Sequence, residues 1–319
     1  MQTSNKKVLL MGRAGAGKTS MRSIIFANYL SRETKKLTAT NNVEHSNVKF
    51  LGNLTLSLWD CGGQDTFMEN YFESQREHIF TNAEVLIYVL EVRSATVGKL
   101  SIRPKEIEKD FQYMQNALDS IKQFSPKAKI FCLVHKMDKV INEEKRTVEK
   151  FYEDELSKEK SGLTITFFGT SIWDETLFNA WSKIVYYLVP NVNVLTQHLK
   201  HCCEICHADE VVIFEKYTFL VIAHASVREH KDSHRFEKIS NICKQFKLAC
   251  VHSRVSSTFE VLLVQNPSFR VFTEHFTDNT YIMLIVSDSA VEPAALMCNI
   301  DYARTHFSKM VSLRFGGPV

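Results

Sequence analysis

Lys7-Val8-Leu9-Leu10-Met11-Gly12-Arg13-Ala14-Gly15-Ala16-Gly17-Lys18-Thr19-Ser20 decides the fold. Its apolar opening reads as a buried strand, its glycine-rich middle as a loop, and its last residues as the start of an amphipathic helix. The loop matches G-x-x-x-x-G-K-[ST] in the strand, loop and helix context the motif requires. Consecutive backbone N–H groups of Arg13, Ala14, Gly15, Ala16 and Gly17 converge on phosphate oxygens in such a loop, and the helix opened by Lys18, Thr19 and Ser20 turns its positive end toward them. Lys18 adds a mobile cation for β- and γ-phosphates. The Thr19 hydroxyl suits Mg²⁺, a hard cation that prefers oxygen ligands. A plain glycine turn would not need Lys and Thr in this register.

Outward from this unit, as far as about residue 190, short Val, Ile, Leu and Phe runs alternate with stretches of helical length. The strands expected at 7–11, 48–50, 55–59, 85–92, 130–135 and 165–169 are near-continuously apolar, as strands buried on both faces must be. That pattern predicts an α/β fold with a doubly wound, mostly parallel sheet over residues 1–190. Beyond it the pattern changes to a helix at 192–207, a hairpin of 211–214 with 218–223, a helix at 234–246, strands at 258–264 and 280–286, and a helix at 294–309. A smaller α+β domain over 191–319 is expected.

The chain has 319 residues, of which 45% are hydrophobic and 24% charged, with 11 Gly and 6 Pro, so collagen-like and largely disordered classes are excluded. A net charge of +3 from 39 basic and 36 acidic residues builds no broad positive field, and nucleic acid is not an expected partner. Without a long apolar run, a secretory core or a lipidation motif, direct membrane insertion is not expected either, and a cytoplasmic location is. Most of the 8 cysteines sit in apolar runs, as reduced thiols do in a reducing compartment.

Trp59-Asp60-Cys61-Gly62-Gly63-Gln64 follows a hydrophobic strand, so Asp60 emerges at a strand's carboxyl end, where open α/β sheets place their ligands. Asp60 is suited to hold Mg²⁺ through water, Gly63 to bring its N–H against a γ-phosphate, and Gln64 to orient an attacking water. The segment 34–45 has no hydrophobic periodicity, which suits a stretch ordered by ligand. Within it Thr40 is the choice for a second hydroxyl on Mg²⁺, and Thr34 for phosphate or ribose contact.

His135-Lys136-Met137-Asp138 has the shape of the guanine-reading N-K-x-D element with His in the Asn position. A carboxylate at Asp138 accepts from both the ring N–H and the exocyclic amine of guanine, whereas adenine offers neither. The stem of Lys136 would lie along the base plane. Thr170-Ser171-Ile172, after the next strand, falls where a backbone N–H meets the guanine oxygen.

These motifs, together with Ser20-Met21-Arg22-Ser23-Ile24, Phe50-Leu51-Gly52-Asn53-Leu54 and Trp173-Asp174-Glu175, resemble those of the Rag GTPases, and among them the RagA/RagB branch. The similarity continues through Ala208-Asp209-Glu210-Val211, His234-Arg235-Phe236-Glu237-Lys238-Ile239-Ser240-Asn241 and Lys244-Gln245-Phe246-Lys247-Leu248, so nearly the whole chain is covered. The resemblance implies a Ras-like GTPase domain followed by a roadblock-like domain that pairs with a RagC/RagD-type subunit. It further implies attachment to the lysosomal or vacuolar surface through a Ragulator-type scaffold, recruitment of the TORC1 complex in response to amino acids, and a GATOR1-type activating protein. Carried residue by residue, phosphate and Mg²⁺ roles fall on Lys18, Thr19, Thr40 and Gly63, water positioning on Gln64, and base contact on His135, Asp138 and Ile172. The chain departs from the family at Asn41 and Asn42, where an apolar residue and Asp are usual, and at 95–104, a polar stretch that looks inserted and is expected as a surface loop.

Cys203 and Cys206 have C-x-x-C spacing, but Leu195, Leu199, Cys202 and Cys206 recur every three or four residues, the stripe of a helix packed on a sheet. The sequence therefore points to a slow GTP-hydrolysing switch that awaits a catalytic group in trans. The rival is a nucleotide-binding scaffold subunit with negligible turnover.

Overall fold

The computed structural model describes residues 4–40, 43–50, 54–92, 105–157, 162–189, 191–227, 235–253, 261–265 and 267–315. Asn41, Asn42 and the expected loop at 95–104 lie outside them. Two compact units emerge, one built from Lys6–Val48 with Leu56–Ala180, the other chiefly from Trp181 onward.

The first unit rests on six strands: β1 (Ser4–Met11), β2 (Glu44–Lys49), β3 (Leu54–Asp60), β4 (Ala83–Glu91), β5 (Lys129–His135) and β6 (Ile165–Thr170). Their order across the sheet is β2-β3-β1-β4-β5-β6, and β1, β4, β5 and β6 pair in parallel. Val8, Leu9, Leu10 and Met11 are at most 1% exposed, because β1 is central and covered on both faces. Strand β2 runs over Glu44–Lys49, earlier than the apolar pattern predicts, since its mostly exposed polar side chains carry no such pattern.

Among the described residues six helices accompany this sheet: α1 (Lys18–Phe26), α2 (Asp65–Glu73), α3 (Arg76–Phe80), α4 (Lys105–Phe124), α5 (Lys145–Ser157) and α6 (Thr176–Leu188). In α4 the buried residues Ile107, Met114, Leu118 and Ile121 fall on one stripe, and the last three join the core that holds Leu9, Tyr88 and Cys132. Leaving β1, the chain winds first toward β2 and β3 and later back to β4. The carboxyl ends of β1 and β3 therefore flank a topological switch point, the place where such sheets bind ligands.

The second unit carries a five-stranded antiparallel sheet in the order β8-β7-β11-β10-β9. Its strands are β7 (Glu210–Glu215), β8 (Val221–Ser226), β9 (Val261–Gln265), β10 (Arg270–Thr277) and β11 (Thr280–Val286). Helix α8 (Arg235–His252) places Phe236 and Cys243 on Val212, Phe214, Tyr281 and Met283. The opposite set, Val211, Ile213, Ile282 and Leu284, is equally buried, and α7 (Val192–Ile205) lies across β7 and β8. Beside it runs α9 (Pro293–Phe315), whose Phe307 meets the ring of His198. Leu195, Leu199, Cys202 and Cys206 are buried as the expected helix stripe.

Strand β10 is absent from the sequence-based expectation. Its Thr273, Glu274 and His275 break any apolar run, and its register slips between His275 and Thr277. Among the described residues no helix is long and apolar enough to cross a membrane. The chain is thus a doubly wound α/β unit followed by a smaller α+β unit.

Candidate functional site

The loop between β1 and α1 ends at Gly17, whose φ of +103° lies in the left-handed region. A Cβ there would also stand 2.6 Å from the His135 ring, so both conformation and space demand glycine. Lys18 is 5% exposed, and its ammonium donates to Gly12 O at 2.6 Å and Arg13 O at 3.0 Å. Burial pulls its pKa down to about 8, while the nearby Asp60 carboxyl opposes the shift. The loop opens on a cleft of about 240 Å³, lined among others by Gly15, Lys18, Thr19, Thr34, Thr40 and Gln64.

Alternation along β3 turns Leu54, Leu56, Leu58 and Asp60 inward, which is why a carboxylate ends up with no exposed surface. Asp60 Oδ2 accepts from Arg22 Nε at 3.0 Å, and Oδ1 is buried without a hydrogen-bond partner. Burial raises the Asp60 pKa, with Arg22 acting against it. The hydroxyls of Thr19 and Thr40 meet at 2.7 Å. Two hydroxyls and an orphaned carboxylate oxygen make an all-oxygen donor set, the kind a hard divalent cation takes.

Gly63 lies against the phosphate loop: Ala14 N donates to Gly63 O at 2.6 Å, and a Cβ on Gly63 would come within 2.4 Å of Ala14 N. Gln64 comes next, at the threshold of α2, and lines the same cleft. Thr34 also lines it, although its hydroxyl donates to Ser31 O at 2.7 Å within the 3₁₀ turn Ser31–Lys36. Ser20 completes the wall at the first turn of α1.

The residues expected at the base form a separate group. His135 is 1% exposed beneath Gly17, with Nδ1 at 2.9 Å from the Thr170 hydroxyl, and burial lowers its pKa to about 4. Lys136 adopts φ +66° and donates to Glu91 at 2.7 Å. Asp138 Oδ1 accepts from Ser171 Oγ at 2.8 Å, and Ile172 O accepts from Ser31 Oγ at 2.5 Å. The two groups are joined through His135 beneath Gly17 and through Ser31.

Sequence reasoning passed over Arg22, Glu91 and Ser31. Arg22 was within reach, since it lies one helical turn beyond Lys18 on the face that looks toward β3. Glu91 at the end of β4 carries only the weak signal of an acid at a strand's carboxyl end. Ser31 carries none.

A family model described as the Gtr1/RagA G protein conserved region matches residues 7–243. Ras-related GTP-binding protein A of Dictyostelium discoideum is 52% identical over 307 residues, covering 96% of this chain and 98% of its own. Ras-related GTP-binding protein B of Rattus norvegicus is 50% identical over 341 residues, covering 98% and 87%, and GTP-binding protein gtr1 of Schizosaccharomyces pombe 47% over 301 residues, covering 94% of each. A more distant relative, Ras-related GTP-binding protein C of Mus musculus, is 25% identical over 228 residues, covering 69% of this chain and 54% of its own. Identity of this extent, spread over both units and joined to a phosphate loop at the switch point of a doubly wound sheet, means that the chain belongs to the Gtr1/RagA family of GTP-binding proteins.

Proposed function

We infer that this chain is the GTP-hydrolysing switch subunit of a Rag-type heterodimer. The observation that carries the reading is the contact of Gly63 with Ala14, which joins the segment bearing Gln64 to the loop bearing Lys18. In this reading the loop from Arg13 to Lys18 cradles the phosphates with those N–H groups not already given to Gly63 O, by Ala14, and to Arg13 O, by Ala16, and the Lys18 ammonium is shared between β and γ. Thr19 and Thr40 would hold Mg²⁺ through their hydroxyls, and Asp60 would do so through water. A Mg²⁺ ion bound there neutralises charge on the phosphate oxygens. Gln64 aligns water for in-line attack on the γ-phosphorus, and Lys18 stabilises the charge that moves to the leaving oxygen. Asp138 and the backbone near Ser171 and Ile172 read guanine, and Lys136 flanks the base. His135 supports Gly17 from below, and Thr34 lies near the phosphates or ribose.

Turnover is slow without help. Among the described residues Arg13 is the loop's own guanidinium, and it is engaged by Asp65 and Asp110. A GATOR1-type activating protein supplies the missing group, a contribution of about 10³- to 10⁵-fold in related switches. Loss of the γ-phosphate frees Thr40 and Gly63, and the readout lies in contacts made only while both are held.

The second unit is the roadblock-like half that pairs with a RagC/RagD-type subunit. The heterodimer sits on a Ragulator-type scaffold at the lysosomal or vacuolar surface and relays amino-acid availability to TORC1. The test is hydrolysis by the full-length protein with and without an activating partner. Gln64→Leu should lower the stimulated rate by at least about 100-fold, and unlabelled GTP, not ATP, should displace bound guanine nucleotide. Unchanged hydrolysis in Gln64→Leu would favour the scaffold with negligible turnover, and preference for ATP would overturn the guanine assignment.

A further inference from the structure

Arg13 belongs to the phosphate loop, yet its guanidinium is turned toward the start of α2 and the flank of α4. Its Nε stands 3.4 Å from Asp110 Oδ1 and 3.6 Å from Asp65 Oδ1, and a terminal nitrogen donates to Glu106 O at 3.3 Å. The Asp110 side chain is only 9% exposed, so its charge requires a close cation. Asp65 is the residue directly after Gln64. It also accepts from Lys109 Nζ at 2.7 Å and from the Tyr113 hydroxyl at 3.4 Å, both on α4. Lys109 foremost, and Arg13 as well, hold the Asp65 carboxyl below the usual carboxylate range.

The backbone of the same loop residue serves the nucleotide side. Arg13 O accepts from Lys18 Nζ at 3.0 Å, and the next N–H, that of Ala14, donates to Gly63 O at 2.6 Å. Gln64 is therefore bracketed. On one side Ala14 holds Gly63; on the other, Arg13, Lys109 and Tyr113 hold Asp65. An exposed ion pair such as Asp65 with Lys109 is weak by itself. The guanidinium, however, is anchored by the nearly buried Asp110, which gives the brace a fixed base on α4.

We propose that Arg13 is a positioning residue for hydrolysis: its pairs with Asp110 and Asp65 brace residues 63–65 against α4 and so set the orientation of the Gln64 amide over the cleft. Arg13 touches no reacting atom in this role. A water-aligning group displaced by a fraction of an ångström loses much of its effect, so loosening the brace slows the chemical step more than it weakens nucleotide binding. The proposal rests on the assignment of water alignment to Gln64.

Single-turnover GTP hydrolysis and guanine nucleotide dissociation, measured separately on the full-length chain, test it. Arg13→Gln and Asp65→Asn should each slow hydrolysis about 5- to 20-fold, and the double variant should be slowed by less than the product of the two losses, because both remove the Arg13–Asp65 pair. Dissociation should change by less than about threefold, and Arg13→Lys should recover part of the lost rate. Wild-type hydrolysis in both single variants overturns the proposal, as does a loss matched by an equal rise in dissociation, or losses that multiply. Should Arg13→Gln fail to fold, Asp65→Asn carries the test, since its side chain is 42% exposed. Gln64→Leu in the same series separates the two readings. If it leaves hydrolysis unchanged, the Gln64 assignment falls; if it stops hydrolysis while the brace variants run at full rate, only the brace falls.

Discussion

His135 is held neutral by its surroundings, with a pKa lowered to about 4 by burial beneath Gly17 against about 6.5 in an unfolded chain. Between those values the unfolded state binds more protons. The contribution of His135 to stability is thus fully present above pH 6.5 and is lost as pH falls toward 4, with a span on the order of 3 kcal/mol. Thermal melting at pH 7 and pH 5 should show a larger fall for the wild-type protein than for His135→Asn, which carries no titrating ring. Equal falls would mean that the ring accepts a proton without leaving its site. The identity of this residue is plain in the sequence, where it fills the Asn place of a base-reading motif. Its burial is not, because Gly17 and Thr170 reach it only after β1, β5 and β6 align.

At the scale of elements, α8 is fastened to β7 by Arg235 and Glu210, with Nη2 at 2.6 Å from Oε1 and Nε at 2.9 Å from Oε2. The Glu210 side chain is 6% exposed. Removing the guanidinium therefore leaves a buried carboxylate short of its cation, a change that costs about 3 kcal/mol. Arg235→Ala should lower the denaturant midpoint of the second unit accordingly, and Glu210→Gln in the same background should restore part of it. An unshifted midpoint in Arg235→Ala would show that the pair contributes nothing. Elements differ in how readily sequence reveals them. Strands β1, β4 and β5 are legible because their stretches 8–11, 85–90 and 130–134 are buried on both faces and apolar throughout. β2 and β10 are not, since one is largely exposed and the other interrupts its apolar residues with polar side chains and a slipped register.

At the scale of the whole molecule, the second sheet ends on a strand with exposed apolar side chains. On β9, Val261, Leu263 and Val264 are 44%, 47% and 49% exposed, and on α8 Ile242 and Phe246 are 66% and 47% exposed. An apolar edge strand is an aggregation hazard unless something covers it, and the proposed RagC/RagD-type subunit fits that need. Leu263→Asp with Val264→Asp should leave GTP binding intact while the light-scattering mass of the purified complex drops to that of a single chain. A retained heterodimer in this variant would move the interface elsewhere.

The amino-acid order by itself pointed to the loop proposed to grip phosphate and to residues that line one cleft with it, because backbone amides, a lysine and hydroxyls at fixed spacing carry that chemistry locally. It also determined the doubly wound sheet, through apolar runs whose period survives any tertiary arrangement. Only folding decided that Asp60 is buried beside Arg22, that His135 lies under the loop, and that Arg13 turns from the cleft to Asp65 and Asp110. Each of those depends on groups dozens of residues apart, and their pairing is dictated by desolvation and space rather than by any local pattern.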